Sequence, residues 1–529
     1  MVGNRRHTYW AVAFISALFC ISSSASAQQV FGRIFGTVTD ATGGAVQNAK
    51  VTITDQNKGT QFDATTNESG NYEKGQLIPG SYTVDIEAPG FSKQQFKDIT
   101  VQVDNAARVD ASLQPGNVSQ TVEVTAAAPT LQADRADVQT TFTSKQLVDL
   151  PSVGRNAQAF SLLAPGAVTI GSFAHAASED PQGSAQIQIN GQHFSGTGYQ
   201  LDGTENQDPI LGIVVINPNI DSLNEQKIAA QDYDAEFGYA GAGIQNASTK
   251  SGTNDFHATA FEYFRNNSPG FTDFARNPFT EPNGAPAFKH NQFGGSLGGK
   301  IIKDKLFYFG DAELIRERQT GSALTTVPTV GARTGDFSAS LPLNVIYDPT
   351  TGNPTTGVGR VAFAGNKIPT NRLSSQALAI MNYFPLPNAP GNSGAPYLNN
   401  YTASGAIAYD ANKWDTREDY FMNEKTTFYG RYSNQQFTNG SPGAFGVLNG
   451  GPNFTGSRFS GTSNARNQNI AIGTTHTFSP TIVNEFRFGY VRYKVQVTPG
   501  GLGTSPATAA GIPGLNLDPF YTSGLPFFN

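Results

Sequence analysis

The run FGGSLGGK at positions 293–300 contains two patterns that enzymes use. Gly299 and Lys300 end a phosphate-loop spacing of glycine, four residues and Gly-Lys, and Ser296 is the centre of a G-x-S-x-G hydrolase motif. A phosphate loop needs a hydroxyl after the lysine to hold Mg²⁺, and this chain has Ile301 there. Both motifs require a helix after the loop, whereas KIIKDKLFYFGDAEL has the pattern of a hairpin. The run therefore indicates neither an NTPase nor a hydrolase.

The same run alternates in character along an extended strand. Phe293, Leu297 and Ile301 fall on one face, with glycines between them, and Gln292 and Ser296 fall on the other. Successive side chains of a strand point to opposite faces. The pattern predicts a strand with one apolar face and one polar face, and the rest of the chain must explain such a strand.

The composition excludes several classes of protein. Charged residues make up 14% of the 529 residues and the formal net charge is −6, which disfavours a nucleic-acid partner because such a partner needs a basic face. The chain has 57 Gly, 37 Phe and 19 Tyr, which suits many short strands and polar loops. Its six histidines are scattered without metal-ligand spacing. We therefore predict no catalytic residues, no metal site and no cofactor.

The N-terminus has the pattern of a secretory signal. Arg5 and Arg6 precede the apolar run YWAVAFISALFCI, and an Ala-Ser-Ala cleavage pattern ends at Ala27. We predict that residues 1–27 are a signal peptide. Its Cys20 is the one cysteine of the chain, so the mature chain would have no disulfide. No later stretch approaches the ~20 apolar residues of a membrane-spanning helix.

Residues 28–116 have the pattern of a small β-sandwich. Short alternating runs such as AKVTITDQ and FKDITVQV recur about every ten residues, with turn residues between them. The stretches GTVTDATGGAVQNAKVTI and TTNESGNYEKGQLIPGSYTVDIEAPGF resemble the carboxypeptidase regulatory-like domain. The resemblance implies a seven-stranded, transthyretin-like sandwich and no peptidase activity. Such a domain would be a rigid periplasmic spacer, or it would bind carbohydrate or protein.

Residues 117–130 include a short β-prone run, TVEVT. A free segment of this kind can add as a strand to the edge of a partner's sheet. The run resembles the TonB box of TonB-dependent outer-membrane transporters, which is bound by the periplasmic protein TonB. The alternatives are the last strand of the sandwich and a plain linker. The residues of the TonB-box-like segment are Thr121, Val122, Glu123, Val124 and Thr125.

Residues 131–252 resemble the plug domain of the same transporters. The ordered series LPSVGRN, INGQ, LDGTEN, DAEFG and TKSGTN is similar to that of the Oar-like subgroup. Two capping boxes are predicted, at Thr143 with Gln146 and at Ser222 with Glu225. The segment GIQNASTKSG is more polar than the usual last plug strand, which puts the burial of that strand in doubt. The residues that match the plug motifs are Gly154, Arg155, Asn156, Asn190, Gly191, Asp202 and Gly203.

Residues 253–529 have the pattern of the first part of an outer-membrane β-barrel. Six runs of about ten residues alternate apolar or aromatic with polar residues, as when Phe486, Phe488 and Tyr490 alternate with Glu485 and Arg487. Such strands explain the FGGSLGGK run, whose glycines would let the wall bend or let the plug approach it closely. A long outer loop is predicted at about 320–425. Because the resemblance implies twenty-two strands, we expect the chain to be a fragment of the barrel.

The fold class is therefore mainly β: a sandwich, an α+β plug, and part of a transmembrane antiparallel barrel. The resemblance implies a receptor or transporter in the outer membrane, with the sandwich and the TonB-box-like segment in the periplasm. Its partners would be TonB with the inner-membrane energising complex, outer-membrane lipid, and an external ligand such as a glycan or peptide. The alternative is a non-transporting adhesin or glycan-binding scaffold that uses the sandwich, and an enzyme is the third possibility.

Overall fold

The computed structural model describes most of the chain downstream of the predicted signal peptide. The described residues are 31–103, 105–116, 121–125, 137–169, 186–233, 237, 240–267, 287–446, 449–452, 454, 460–479 and 482–525. The signal peptide, its Cys20 and the residues Asp234, Ala235, Glu236 and Gly238 of the plug motif DAEFG lie outside these residues. Among the described residues, no helix is both long and apolar enough to cross a membrane.

Two sheets form the N-terminal sandwich. One has the order β4-β1-β7, with β8 also pairing β1, and the other has the order β3-β2-β5-β6-β9. Because β7 and β8 pair successive parts of β1, we count them as one interrupted strand. Seven strands then lie within residues 28–116, as predicted, and β9 is an eighth strand that pairs with β6. The bounds are β1 Gly32–Asp40, β2 Lys50–Asp55, β3 Gln61–Thr65, β4 Asn71–Leu77, β5 Gly80–Glu87, β6 Lys93–Val101, β7 Ala106–Arg108, β8 Ala111–Leu113 and β9 Thr121–Thr125.

The core of the sandwich follows the alternation in its sequence. In β2, Val51 and Ile53 are buried, and in β5 Tyr82, Val84 and Ile86 are buried, while their neighbours face outward. Burying one face of each sheet against the other is what stabilises such a domain. The same apolar cluster continues into the barrel wall through Phe307 and Phe421.

The second unit is a mixed sheet with short helical segments around it. Its order is β10-β15-β16-β13-β14, and β11 and β12 form a separate pair. The strands are β10 Val138–Thr143, β11 Ala167–Thr169, β12 Ile187–Ile189, β13 Thr197–Leu201, β14 Thr204–Glu205, β15 Leu223–Gln231 and β16 Gly243–Thr249. The helical segments are α1 Ser144–Asp149 and the 3₁₀ helices Val153–Arg155, Ala157–Leu163, Phe194–Gly196 and Ile220–Ser222.

One predicted capping box is present and the other is wrong. Thr143 accepts from the backbone N–H of Gln146, and the Gln146 side chain accepts in return, so α1 begins as expected. Ser222 instead ends a 3₁₀ turn, and Glu225 lies in β15. The spacing of Ser222 and Glu225 gave a wrong prediction because Leu223–Gln231 is an interior strand of the sheet. Tertiary pairing of the strand outweighs a local helix-start pattern.

The third unit is an open sheet of long antiparallel strands in the order β17-β18-β19-β20-β21-β22-β23, with β24 also pairing β22. The bounds are β17 His257–Asn266, β18 Phe288–Ile302, β19 Leu306–Thr325, β20 Tyr401–Asn423, β21 Thr426–Ser441, β22 Gly461–Ser479, β23 Ile482–Arg492 and β24 Val495–Pro499. The outer segments contain α2 Ser375–Met381, α3 Pro506–Ala509 and the 3₁₀ helices Ala332–Thr334, Ser338–Ser340, Ala364–Asn366 and Thr370–Arg372.

The predicted loop at about 320–425 is partly wrong, because both of its ends are strand. β19 continues to Thr325, and β20 occupies Tyr401–Asn423, so the connection between them is shorter than predicted. The inward face of β20 has Lys413, Asp415 and Arg417, all buried. The strand was missed because charged residues on its buried face hide the usual alternation of apolar and polar positions.

The outward face of the sheet is apolar near the short turns. In β18, Phe293, Leu297 and Ile301 are exposed, while Gln292 is buried, as the sequence alternation predicts. We call the outward set the apolar band, and its members include Phe293, Leu297, Tyr308, Leu314, Trp414, Tyr432, Ile470, Ile472, Phe486, Phe488 and Tyr490.

Candidate functional site

The second unit, which we call the plug after the resemblance given above, meets the third unit, which we call the barrel wall, at the turn between β13 and β14. Asp202 and Gly203 both have positive φ, 48° and 69°, which makes a tight turn that Asp and Gly tolerate. The turn directs the Asp202 carboxylate to the wall, where it is 2% exposed. Thr249 at the end of β16 holds it from the plug side, with its backbone N–H 2.9 Å from Oδ1 and its hydroxyl 2.7 Å from Oδ2.

Two arginines on neighbouring barrel strands bind the other side of this carboxylate. Arg417 Nη1 lies 3.0 Å from Asp202 Oδ1, and Arg431 Nε lies 2.8 Å from Oδ2. Arg417 also pairs with Asp419 at 3.0 Å, and the Ser251 hydroxyl donates to Asp419 at 2.5 Å. Asp202, Asp419, Arg417 and Arg431 form what we call the charge quartet, two carboxylates and two guanidiniums that are buried together.

Such a quartet is a connection that holds tightly but can be released. Buried charges are costly unless they are paired, and removing one partner typically costs about 3–5 kcal/mol. If the two surfaces separate, water can solvate all four groups again, and this hydration offsets part of the free energy of separation. An apolar interface gains no such hydration when it is exposed. The arrangement therefore suits an interface that must be firm at rest and still able to open.

Amide side chains of the wall satisfy the plug backbone beyond the quartet. Asn467 Nδ2 donates to the Val215 carbonyl at 3.0 Å, and Asn469 Nδ2 donates to the Glu205 carbonyl at 2.8 Å. In the opposite direction, the backbone N–H of Asn217 donates to Gln435 at 2.9 Å. These bonds occur where irregular plug backbone is buried, since buried backbone groups must find partners.

The last plug strand is fully buried despite its polarity. Every residue of β16 is buried, which resolves the doubt that its polar sequence raised. The strand lies between β15 and β13 in the plug sheet, so its backbone is paired on both sides. Ser161 donates to the Gln245 side chain at 2.8 Å, which shows how the polar side chains of this strand are accommodated.

A second contact between plug and wall is made by Arg155. Gly154 and Arg155 have positive φ, and the turn directs the Arg155 guanidinium over the Tyr263 ring at 4.2 Å and the Phe261 ring at 5.0 Å in β17. Arg155 also forms an ion pair with Asp221 of the plug. Asn156 caps the next 3₁₀ helix.

The remaining plug-motif residues shape the plug itself. Asn190 and Gly191 have φ of 53° and 75° and form the turn after β12, and Asn190 Nδ2 donates to the Ala230 carbonyl at 3.2 Å. The structure thus brings Asp202 and Arg155 to the wall, whereas Asn190 and Gly191 act within the plug.

The TonB-box-like segment forms β9, the outer strand of one sandwich sheet. Thr121–Thr125 pairs in parallel with Lys93 to Lys97 of β6, and Val122 is 44% exposed. Among the described strands, β6 is the one that pairs with β9. The segment is therefore in the position of a last sandwich strand, and no described strand pairs with its outer edge.

A buried carboxyl lies where the sandwich meets the plug. The backbone N–H of Val103 donates to the Glu225 carboxylate on β15. Burial raises the pKa of Glu225 to about 7, and the Val103 N–H and the nearby Lys227 oppose that shift. Lys227 itself forms a buried ion pair with Asp137 at 3.2 Å.

Sequence reasoning missed the barrel half of this site. Arg417, Asp419 and Arg431 were not among the predicted residues, and Thr249 entered only as part of a motif. A signal was present, because Lys413, Asp415, Arg417 and Asp419 occupy every second position of one run. In a barrel strand, such a spacing puts all of these charges on one face, and they must face the interior because the other face meets lipid.

The arrangement offers contacts that bind and orient. Within the described ranges, no three His, Cys, Asp or Glu side chains are grouped so that they could hold a metal ion.

Comparison with known proteins gives two family matches. Residues 248–529, more than half of the chain, match the model described as "Outer membrane beta barrel domain". Residues 33–114 match the carboxypeptidase regulatory-like domain, as predicted from the turn and strand motifs.

A curated relative and several solved structures are also similar. The chain is 30% identical over 310 residues to the TonB-dependent transporter Oar of Myxococcus xanthus, covering 56% of this chain and 27% of the relative. This chain thus spans about a quarter of the relative's length. The siderophore receptor PirA of Acinetobacter baumannii aligns with a TM-score of 0.37 at 13% identity, covering 67% of this chain and 39% of PirA. The outer-membrane transporter YddB of Escherichia coli aligns with a TM-score of 0.40 at 11% identity, covering 68% of this chain and 40% of YddB.

The two family matches and the match to Oar confirm the resemblance to Oar-like TonB-dependent receptors and the mainly β fold with a barrel sheet. They also confirm the outer-membrane location that the two-faced strands predicted. On the match over residues 248–529, the chain belongs to the family of outer-membrane β-barrel proteins, and a carboxypeptidase regulatory-like domain precedes its barrel strands.

Proposed function

We propose that the chain is part of a receptor that transports a ligand across the outer membrane with energy delivered by TonB. The ligand, a glycan or a peptide, binds from outside on the plug and the long outer segments. TonB then pulls from the periplasm and rearranges the plug. No residue of the chain performs covalent chemistry in this scheme.

The observation that carries the proposal is the charge quartet. A unit held in a barrel wall by Asp202, Arg417 and Arg431 is bound firmly, but its contacts can be exchanged for water. A transporter needs this combination, because its plug must close the barrel at rest and open on demand. An adhesin needs no closing unit, so the same observation weighs against that alternative.

The route for the pulling force follows the order of the chain. The next described strand after β9 is β10, Val138–Thr143, which is an edge strand of the plug sheet and pairs only with β15 among the described strands. An edge strand is held by the hydrogen bonds of one neighbour, whereas a central strand is held by two neighbours, so fewer hydrogen bonds resist the removal of β10. In this scheme TonB adds a strand beside Thr121–Thr125 and draws β10 from the plug.

The test uses proline in the TonB-box-like segment of the full-length protein. Proline has no N–H to donate and fixes φ, so Val122→Pro and Val124→Pro should each abolish energised uptake. Val124→Ala keeps the backbone donor and is the matched control, with uptake close to wild type. Surface binding of the ligand should be retained in all three variants, because the segment lies outside the plug and the barrel.

The outcomes separate the alternatives. Uptake that survives both prolines would make Thr121–Thr125 a sandwich strand without a role in energy transfer. A ligand that is bound at the surface but never taken up, even by wild type, would favour the non-transporting adhesin.

A further inference from the structure

The sandwich covers the charge quartet on the side where it packs against the wall. A cavity of about 10 Å³ remains between them, which has room for about one water molecule. The quartet contributes Asp202 and Arg417 to the lining of this cavity, and the sandwich contributes the apolar residues Phe31, Ile78 and Pro79. The sandwich therefore fits closely against the quartet with apolar side chains.

Tyr429 of β21 connects this cover to the quartet. Its ring meets the Phe31 ring edge-on, with the ring centroids 6.0 Å apart. The Tyr429 hydroxyl donates to the Asp202 carbonyl oxygen at 3.2 Å, and the Arg417 guanidinium carbon lies 5.5 Å from the centroid of the Tyr429 ring. A cation is stabilised by an aromatic ring at this distance. Phe31 therefore packs against a residue that contacts both the carboxylate and the guanidinium side of the quartet.

Further contacts fix the sandwich around the cover. The Gln76 side chain donates to the Glu485 carboxylate of β23 at 2.6 Å, and the Phe62 ring lies 6.3 Å from the Phe421 ring of β20. The bond to Glu225 described above attaches the sandwich to the plug. The sandwich thus contacts both of the surfaces that the quartet joins.

The cover controls whether water can reach the quartet. Two buried charges separate readily only when water replaces the partner that each of them loses. The side chains of Phe31, Ile78 and Pro79 have no polar group that could replace it. While the sandwich is docked, separation of Asp202 from Arg417 would leave both charges without solvent. The sandwich must therefore move before the quartet can open.

We propose that the docked sandwich is autoinhibitory: it keeps the plug in the wall, and its undocking precedes release of the plug. This inference rests on the proposed function, because it assigns a regulatory step to the same quartet. The segment Thr121–Thr125 pairs with β6, so a pull on this segment acts on the sandwich through the hydrogen bonds between β6 and β9. Undocking then exposes the quartet to water, and the plug can separate from the wall.

The first test measures hydrogen exchange of Thr197–Leu201, the plug strand before the quartet, in the reconstituted full-length protein without TonB or ligand. Phe31→Ala removes the ring that packs on Tyr429, so exchange of this strand should become about tenfold faster or more. Phe35→Ala is the matched control, because the Phe35 ring lies beside two arginines of the sandwich itself. It should leave exchange of the plug strand unchanged.

The second test fixes the sandwich to the wall. A Cβ added at Gly59 would lie 3.7 Å from the Asp304 side-chain carbon Cγ in the β18–β19 turn, which is within reach of a disulfide. The variant Gly59→Cys with Asp304→Cys, once oxidised, should exchange the plug strand at least about threefold more slowly than the same protein after reduction. Each single-cysteine variant should exchange at the same rate before and after reduction, which controls for the substitutions themselves.

Plug exchange that Phe31→Ala leaves unchanged, or that is equal in the oxidised and the reduced double variant, would overturn the proposal, because the plug would then open with the sandwich in place. A disulfide that does not form would overturn it as well, since the sandwich would not be docked on the wall. The proposed function fails separately, in the uptake test of the proline variants, because neither exchange measurement depends on TonB or on a ligand.

Discussion

At the scale of single residues, the plug and the wall are joined by buried charged side chains that stabilise one another. Arg431 is fully buried and Asp202 nearly so, and neither would be stable alone in that environment. The Asp202 carboxylate accepts two hydrogen bonds from Thr249 and one from Arg417, and it forms an ion pair with Arg431. The connection therefore depends on all of its members.

Removing the Asp202 carboxylate should loosen the plug strongly. Asp202→Ala leaves Arg417 and Arg431 with one carboxylate between them, which should cost about 3–5 kcal/mol of local stability. Hydrogen exchange of Thr197–Leu201 in the reconstituted full-length protein measures this, and protection should fall more than about a hundredfold. The control is Asp410→Asn, because the bridge of Asp410 to Arg318 is exposed and should contribute less than about 1 kcal/mol. Unchanged exchange in Asp202→Ala would refute the role of the quartet.

Glu225 should make stability depend on pH. Burial raises its pKa to about 7 in the folded state, above the unfolded value of 4.5, so the folded protein holds this proton more tightly. That contribution is fully present below pH 4.5 and is lost as the pH rises towards 7, with a total of about 3 kcal/mol. Glu225→Gln should remove this pH dependence and make the protein relatively more stable at pH 8. Chemical unfolding between pH 4.5 and 8 checks it, and identical pH profiles for both proteins would contradict the prediction.

At the scale of elements, the alternation of apolar and polar residues predicts a strand most clearly where one face of that strand is apolar. It identified β17, β18, β19, β21, β22 and β23. The outward faces of β18, β19 and β23 carry Phe293, Leu314 and Phe488. It missed β20, because the outward face of that strand is mixed and its inward face is charged. The inward charges are present because the wall faces a polar plug, and that is a property of the neighbour.

Close approach of plug and wall depends on Gly252. A Cβ at this position would lie 2.3 Å from the Tyr308 carbonyl oxygen and 2.4 Å from that of Gly299. Gly252→Ala should therefore push the end of the plug from the wall and cost about 1–3 kcal/mol. Thermal unfolding of the reconstituted protein checks this. Gly430→Ala is the control, because nothing lies within 4 Å of the added Cβ there, and it should have little effect. Equal midpoints for both variants would show that the plug end can shift without cost.

At the scale of the whole molecule, the sandwich is both a separate core and a neighbour of the barrel. Its apolar cluster includes Ile34, Val51 and Leu113, and it extends to Phe307 and Phe421 of the wall. At its edge, Asn254 donates to the Lys58 carbonyl at 2.5 Å and to Asp304 of the β18–β19 turn at 2.7 Å. The domain thus packs against the end of the barrel sheet that has the short turns.

The sandwich should nevertheless fold by itself. We predict that a fragment of residues 30–115 is a soluble all-β monomer, because its two sheets bury their apolar faces against each other. A longer fragment, residues 30–125, should be more stable because β9 extends the sheet beside β6. Circular dichroism and denaturant unfolding of both fragments measure this. A disordered shorter fragment would show that the barrel contacts are required, and equal stability of the two would show that β9 adds nothing.

The sequence by itself determined the parts of this protein that depend on near neighbours. Alternation along a strand selects its two faces, so the apolar band and the polar interior of β18 were predictable. Turn residues act locally as well, since Asp202 and Gly203 adopt positive φ within their own hairpin. The predicted plug motifs therefore located a turn correctly, but they did not predict which residues the turn contacts.

Only the tertiary structure decided the partners. Asp202 and Arg417 are 215 residues apart, and no local pattern relates them. Their pairing depends on the register of β20 against β19 and on where the plug lies inside the wall, both of which are long-range. The same holds for Thr121–Thr125, whose sequence allows a free segment or an edge strand. Its pairing with β6 is decided by the open edge that the folded sandwich presents, because a strand binds wherever unpaired backbone groups are within reach.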